Sequence, residues 1–113
     1  MILEYSIVGG YIKLPRNIFI QEMLCKDSTL KSFIKWNSTA ELMKHKMYVS
    51  QPDEENNVII RFDTDCNIIC SESPRDILSA LKNKYQNKIK GKVAYRIYYS
   101  TFGGIYDFEV DLG

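Results

Sequence analysis

The chain has 113 residues, of which 45% are hydrophobic and 26% charged, and its formal net charge is +1. These values predict a single globular domain over residues 1–113, because two cores of half this size would each be too small for stability. A near-neutral balance argues against a polycation made to coat nucleic acid, and no apolar run approaches the roughly 20 residues of a membrane span.

Three cysteines are an odd number and predict no disulfide framework. Together with the absence of a basic and then apolar leader at residue 1, this favours a cytoplasmic protein. Cys25 and Cys70 have apolar neighbours in the sequence and are predicted to be small core residues. Cys66 and the single His45 add too few ligands for a closed zinc site. We therefore predict no metal and no cofactor.

The first half of the chain predicts a hairpin followed by helices. Residues 2–8 and 11–14 alternate as strands do, and they flank Gly9 and Gly10, a pair typical of a two-residue turn. Pro15 ends the second strand. Beyond it, from residue 17 to 46, the apolar residues recur at helical spacing.

Two apolar stripes predict two short helices in this region. The first stripe consists of Ile20, Met23 and Leu24, and the second of Leu30, Phe33 and Ile34. A capping box formed by Ser38 and Glu41 predicts a short third helix. Residues 17–20 leave an alternative open, since their composition also suits an extension of the sheet.

The second half of the chain begins with a polar loop at residues 50–57. Residues 58–62 and 67–70 then predict two strands that enclose a four-residue hairpin loop. A helix follows, with its N-cap at Ser73, Pro74 in its first turn, and its end at or just before Gly91. Its predicted apolar face consists of Ile77, Leu78, Leu81 and Tyr85.

The closing hairpin has the clearest pattern. Its alternation predicts an apolar face, with Tyr95 opposite Val110, and a polar face, with Tyr98 opposite Asp107 and Arg96 opposite Glu109. The element order is therefore ββ-α(α)-ββ-α-ββ. That order predicts an α+β domain in which an antiparallel sheet built from hairpins carries two to three helices on one face.

No group of residues forms a catalytic pattern. The stretch from Asp63 to Asp65 begins like a calcium-binding loop, but the positions that require Gly and Glu hold Ile68 and Pro74. A turn stabilised by its own side chains is the simpler interpretation. We predict a protein that is not an enzyme.

The leading functional hypothesis rests on the separation of acidic and basic residues along the chain. Tyr98 and the acids of the closing hairpin are predicted to face outward and to bind a basic protein. The acids in the loop between the predicted strands 58–62 and 67–70 are predicted to contribute to the same surface. The predicted partner-binding residues are Tyr98, Asp107, Glu109, Asp111, Asp63 and Asp65. Such a domain would inhibit or regulate its partner, as an immunity protein does with a nuclease toxin or a phage-encoded protein with a host defence protein. The alternative is that these acids only keep the sheet hydrated and its edge unpaired.

Two further hypotheses remain open. Five lysines within eleven residues, close to Tyr95 and Tyr98, could bind nucleic acid through its phosphates and bases. These lysines are Lys82, Lys84, Lys88, Lys90 and Lys92. A pocket between sheet and helices could instead bind a small molecule.

Overall fold

The protein folds as an antiparallel sheet with helices on one side, in a computed structural model that describes residues 3–35, 47–63, 68–70, 73–99 and 103–113. The described strands are β1 (Leu3–Pro15), β2 (Met47–Val49), β3 (Asn57–Phe62), β4 (Ile68–Cys70), β5 (Lys90–Tyr99) and β6 (Gly104–Asp111). The described helices are α1 (Arg16–Leu24), α2 (Thr29–Lys35) and α3 (Pro74–Tyr85), and a 3₁₀ turn, Gln86–Lys88, follows α3. The predicted α+β class is confirmed.

The strand order is β2-β3-β1-β5-β6. The short strand β4 pairs with β1 on the same side as β3, but along a different part of β1. β1 is therefore the central strand, and at 13 residues it is also the longest of the described strands. It pairs with β5 along one side and with β3 and β4 along the other, always antiparallel. β6 forms one edge of the sheet.

The predicted first hairpin is wrong, because its two strands are one continuous strand. The register of β1 against β5 shifts between Ile7 and Gly9, so that Val8 is an extra residue and forms a β-bulge. The bulge reverses the alternation of side chains. Ile7 faces the core before it, whereas Ile12 and Leu14 face the core after it.

The predicted hairpin between β3 and β4 is also wrong. β3 pairs with Gly10 to Pro15 of β1, and β4 pairs with Tyr5 to Ile7 of the same strand. The two segments therefore lie end to end along β1. The reason is the length of β1, which offers separate partners to both. Residues 64–67, which connect the two segments, lie outside the described residues.

The closing hairpin is present, but its register differs from the predicted one by two residues. Tyr95 lies opposite Phe108 and Arg96 opposite Asp107. A stacked ring pair, Tyr95 on Phe108 with centroids 5.6 Å apart, and a 2.7 Å ion pair between Arg96 and Asp107 stabilise this register. Because the shift is even, the predicted division of side chains between the two faces is retained.

The predicted apolar stripe of α1 is wrong in part. The helix buries Ile18 and Glu22, while Ile20 and Leu24 are exposed. The carboxylate of Glu22 binds groups from α3 and from the residues after α1, and these contacts turn that side of the helix inward. Cys25, which directly follows α1, is exposed rather than part of the core. Cys66 and the side chain of Cys70 are outside the described part of the structure.

Helices α2 and α3 bury described residues of the faces that their spacing predicts, and the side chain of Ile34 lies outside the described part of the structure. Leu30 and Phe33 of α2 are buried, and Phe33 packs edge-on against Phe62 of β3 with ring centroids 5.9 Å apart. Leu78 and Leu81 of α3 are fully buried. The predicted third helix, which contains Glu41 and His45, lies outside the described residues.

The end of α3 differs from the prediction. The helix ends at Tyr85, and Gln86 has a positive φ of 51° that turns the chain away from the helix axis. Gly91, predicted as the helix end, is part of β5. The prediction was wrong because residues 86–90 contain no Gly or Pro to mark the change from helix to strand, and Gly91 is the first such residue.

The core lies between the sheet and the helices. Buried side chains of all three described helices form one cluster with alternate residues of β1, β3, β5 and β6. We call the opposite side of the sheet the outer face. None of the described helices packs on it, and it carries exposed side chains such as Tyr11, Arg61 and Lys92. Within the described residues, no helix is long and apolar enough to cross a membrane.

Candidate functional site

The predicted acids of the closing hairpin lie together on the outer face. Asp107, Glu109 and Asp111 alternate along β6 and are all exposed, and Tyr98 of β5 is half-buried on the same face. The alternation of the strand brings the three carboxylates to one side, as its sequence pattern predicts.

Two of these acids already contact bases of the neighbouring strand. Arg96 donates a hydrogen bond from Nε to Oδ1 of Asp107 at 2.7 Å. This hydrogen bond lowers the pKa of Asp107 and raises the pKa of Arg96. Lys92 lies 3.9 Å from Asp111. Glu109 forms no ion pair with another described residue. The β6 side of the outer face therefore carries two acids with exposed basic partners and one acid, Glu109, without one among the described residues, and it is less acidic than the sequence of β6 alone indicates.

The other predicted acids lie elsewhere. Asp63 is half-buried directly after β3, which is separated from β6 by β1 and β5. Three strand spacings amount to roughly 15 Å. Asp65 lies outside the described residues. Asp63 therefore does not join the acids of β6.

β6 also exposes large apolar side chains, which the sequence pattern did not predict. Ile105 is 59% exposed, Tyr106 54% and Phe108 40%. Tyr106 and Phe108 are on the helix side of the sheet, where the alternation predicts burial, but α3 leaves this end of the hairpin uncovered. Their exposure follows from the position of β6 at the edge of the sheet, and edge position cannot be read from alternation alone.

The backbone of β6 is partly open to a further strand. The amide of Leu112 donates to the carbonyl of Gly91 in β5 at 2.7 Å. In an antiparallel ladder such groups alternate, so the polar backbone groups of Ile105, Asp107 and Glu109 point away from β5. The carbonyl of Glu109 accepts from Nη2 of Arg75 in α3 at 3.1 Å. The open stretch is therefore Ile105 to Asp107.

The five predicted lysines do not form one surface. Lys82 and Lys84 lie near the end of α3, Lys88 lies in the 3₁₀ turn, and Lys90 and Lys92 lie in β5. Lys84 donates to the carboxylate of Glu22 at 3.0 Å and is thereby removed from any shared patch. Tyr95, one of the two tyrosines proposed to stack on bases, is buried in the core.

The register of the sheet creates a different basic and aromatic surface. Across four adjacent strands, Tyr48, Arg61, Tyr11 and Lys92 lie directly opposite one another in a single row on the outer face. We call these four residues the aromatic–cation row. Tyr48 is 50% exposed and Tyr11 41%. Because the four residues come from distant parts of the chain, no sequence motif could have identified the row.

Glu22 is the centre of a buried polar cluster that the sequence reading also missed. Its carboxylate accepts hydrogen bonds from the Ser28 hydroxyl at 2.9 Å, the Leu30 amide at 3.2 Å, the Lys84 ammonium at 3.0 Å and the Tyr85 hydroxyl. We call Glu22, Ser28, Lys84 and Tyr85 the Glu22 cluster. One signal was present in the sequence: Glu22 is four residues after the buried Ile18, on the same side of the helix.

The hydrogen bonds of the Glu22 cluster determine its protonation. Burial alone would raise the pKa of Glu22, but the bonds from Tyr85, Lys84, Ser28 and Leu30 outweigh it and lower the pKa to about 2. Burial and the bond to Glu22 raise the pKa of Tyr85. The carboxylate has donors on both oxygens and connects α1, α2 and α3, which is the arrangement of a structural tie rather than of a reactive group.

The described residues form a polar depression and no cluster of metal ligands. A shallow, open polar depression lies beside the β2–β3 turn, lined by Lys13, Asp53, Glu54 and Glu55, and is not between the sheet and the helices. Among the described residues, no three histidine, cysteine or acidic side chains lie close enough to hold a metal ion. Comparison with protein-family models, with curated proteins and with solved structures found no match to this chain.

Proposed function

We propose that this chain is a non-enzymatic protein-binding domain that engages a basic partner protein through β6 and thereby inhibits or regulates it. The observation that carries the proposal is an edge strand on which exposed apolar side chains alternate with exposed acids. Ile105, Tyr106 and Phe108 supply the apolar area, and Asp107, Glu109 and Asp111 supply the charge.

The apolar side chains would provide most of the affinity. Covering a large apolar side chain contributes about 1–2 kcal/mol, and aromatic residues are frequent among those that dominate binding. Ile105 and Tyr106 are more than half exposed and lie next to each other at the turn end of β6, on opposite faces of the sheet. A partner that encloses this end of the hairpin would contact both.

The acids would determine the approach and orientation of the partner. Glu109 is unpaired among the described residues, while Asp107 and Asp111 could exchange their exposed intramolecular partners for cations of the other protein at little cost. Acidic surfaces accelerate the encounter with basic proteins more than they tighten the final complex. A nuclease toxin, or a cytoplasmic defence protein that binds nucleic acid, is the class of partner that would carry such a basic surface.

The first test concerns the acids. The variant D107N/E109Q/D111N should associate with the partner about tenfold more slowly at low salt, and the difference should shrink as salt rises. The variant D27N/E54Q/E55Q removes three exposed acids away from β6 and is the matched control. Surface plasmon resonance with a partner captured from the source cells measures both rates. Equal association rates for the two variants would contradict the proposed surface.

The second test concerns the apolar side chains. Replacing Ile105 and Tyr106 with Ser should accelerate dissociation and weaken the complex at least tenfold, since both side chains would lose their burial in the interface. The variant Y48S/V49S alters two exposed apolar residues at the opposite edge of the sheet and is the control. A complex that dissociates at the same rate with either variant would show that the partner binds elsewhere.

A further inference from the structure

The aromatic–cation row crosses the middle of the outer face, where no described helix covers the sheet. Tyr48 in β2, Arg61 in β3, Tyr11 in β1 and Lys92 in β5 are direct neighbours in the registers of three strand pairs. Strands lie about 4.8 Å apart, so the backbones of the two tyrosines are about 10 Å apart, with Arg61 on the strand between them. The row therefore offers two aromatic surfaces separated by a cation.

The cations of this surface are available to an anion. Arg61 is exposed and makes no hydrogen bond or ion pair with another described residue. Lys92 has a 3.9 Å contact with Asp111 in which both side chains are more than half exposed, a geometry that contributes little to stability. Lys13 and Lys90 lie opposite each other in the adjacent row of the same face. Four cations thus lie on three neighbouring strands.

We propose that the aromatic–cation row binds single-stranded nucleic acid, with bases stacked on Tyr11 and Tyr48 and phosphates held by Arg61 and Lys92. Exposed aromatic rings interspersed with cations are the combination that such ligands require, because every base has a face that can stack and every nucleotide a phosphate. A paired duplex would present only its phosphates, since its bases are already stacked on one another.

The acids around the row would confine a bound nucleic-acid strand to the cationic area. Asp111 lies on the β6 side of the row, and Asp53 lies 4.0 Å from Lys13 near the β2–β3 turn. These acids border the cationic area on two sides and would repel a phosphate backbone that left it. A protein partner is less suited to this face, because its centre carries few large apolar side chains apart from the two tyrosines.

This binding site adjoins the proposed protein-binding surface at the contact between Lys92 and Asp111, but it is built from other residues. The row belongs to β2, β3, β1 and β5, whereas the protein partner is proposed to contact β6. It also differs from the surface predicted from the lysine-rich segment, of which only Lys90 and Lys92 reach the outer face. The failure of either proposal would leave the other unaffected.

The test is fluorescence anisotropy with labelled ten-residue oligouridylate and oligothymidylate. The unaltered chain should bind at low salt, with a logarithmic salt slope of about −1.4 to −3, as two to four phosphate contacts require. The variant R61Q/K92Q should bind at least tenfold more weakly, and K82Q/K88Q, which removes two lysines away from the row, should stay within twofold. Whichever of the two oligonucleotides the chain binds with higher affinity indicates whether its ligand is RNA or DNA.

The stacking part of the proposal has its own readout. The variant Y11S/Y48S keeps the net charge, so its salt slope should be unchanged while its affinity falls at least tenfold. Thermal unfolding monitored by circular dichroism confirms that each variant is folded at the assay temperature. Absence of binding by the unaltered chain, equal losses in R61Q/K92Q and K82Q/K88Q, or equal affinity for a duplex of the same length would overturn the proposal.

Discussion

Replacing Gly10 with Ala is expected to lower the free energy of unfolding by about 4 kcal/mol and to leave a substantial part of the protein unfolded at 37 °C. A Cβ atom at this position would lie 2.1 Å from the carbonyl oxygen of Lys92 and 2.8 Å from Cα of Val93. Both are backbone atoms of β5, so neither can move without separating the two strands. The φ of Gly10, 118°, is in addition one that side chains rarely adopt.

Gly91 has the corresponding role on the other strand. Its φ is 137°, and a Cβ there would lie 2.2 Å from the carbonyl oxygen of Tyr11. The two glycines flank the pair formed by Tyr11 and Lys92 and allow the backbones of β1 and β5 to approach closely at that point. Gly91→Ala should therefore cost about as much as Gly10→Ala. The same close approach positions two members of the aromatic–cation row.

Gly103→Ala is the matched control for both substitutions. Gly103 also has a positive φ, 62°, but no atom lies within 4 Å of a Cβ built on it. It tests the backbone strain alone, which costs about 1 kcal/mol. Urea unfolding followed by circular dichroism measures all three variants. If Gly10→Ala and Gly103→Ala proved equally stable, the clash between β1 and β5 would be absent.

The bulge at Val8 explains why the sequence predicted the β-sheet but misassigned its first strands. Apolar residues occupy odd positions up to Ile7 and even positions from Ile12, and a Gly pair lies between. A turn and a bulge both interrupt alternation and both use glycine, so the local pattern cannot distinguish them. The pairing of β1 with β3, β4 and β5 decides between them, and it depends on residues distant in the sequence.

For the candidate surfaces too, the local sequence pattern predicts the face of a side chain but not its neighbours on other strands. Alternation was sufficient to predict that Asp107, Glu109 and Asp111 share the outer face, because parity is a local property. It could not predict that β6 is an edge strand, that Arg96 and Lys92 contact two of the acids, or that Tyr11 and Tyr48 lie in one row. Each of these depends on strand order and register, which the sequence does not encode in any single stretch.

Glu22→Gln is expected to destabilise the protein by about 3 kcal/mol at neutral pH. The amide keeps the shape of the side chain but removes the charge that the Lys84 ammonium and the Tyr85 hydroxyl bind. It also places an NH₂ group against some of the four donors, which leaves buried polar groups without partners. Glu54→Gln, at an exposed position, is the control and should change stability by less than about 0.5 kcal/mol.

The pH dependence of stability separates the charge of Glu22 from its packing. Its pKa is lowered from 4.5 to about 2 in the folded protein, so its carboxylate stabilises the fold fully above pH 4.5 and loses this contribution as the pH falls towards 2. A shift of this size corresponds to about 3 kcal/mol. Urea unfolding between pH 7 and 2.5 should therefore show the unaltered protein and Glu22→Gln converging as the pH falls, while Glu54→Gln follows the unaltered protein throughout. Curves for the unaltered protein and Glu22→Gln that stay parallel over this range would mean that the carboxylate of Glu22 is not held ionised by the cluster.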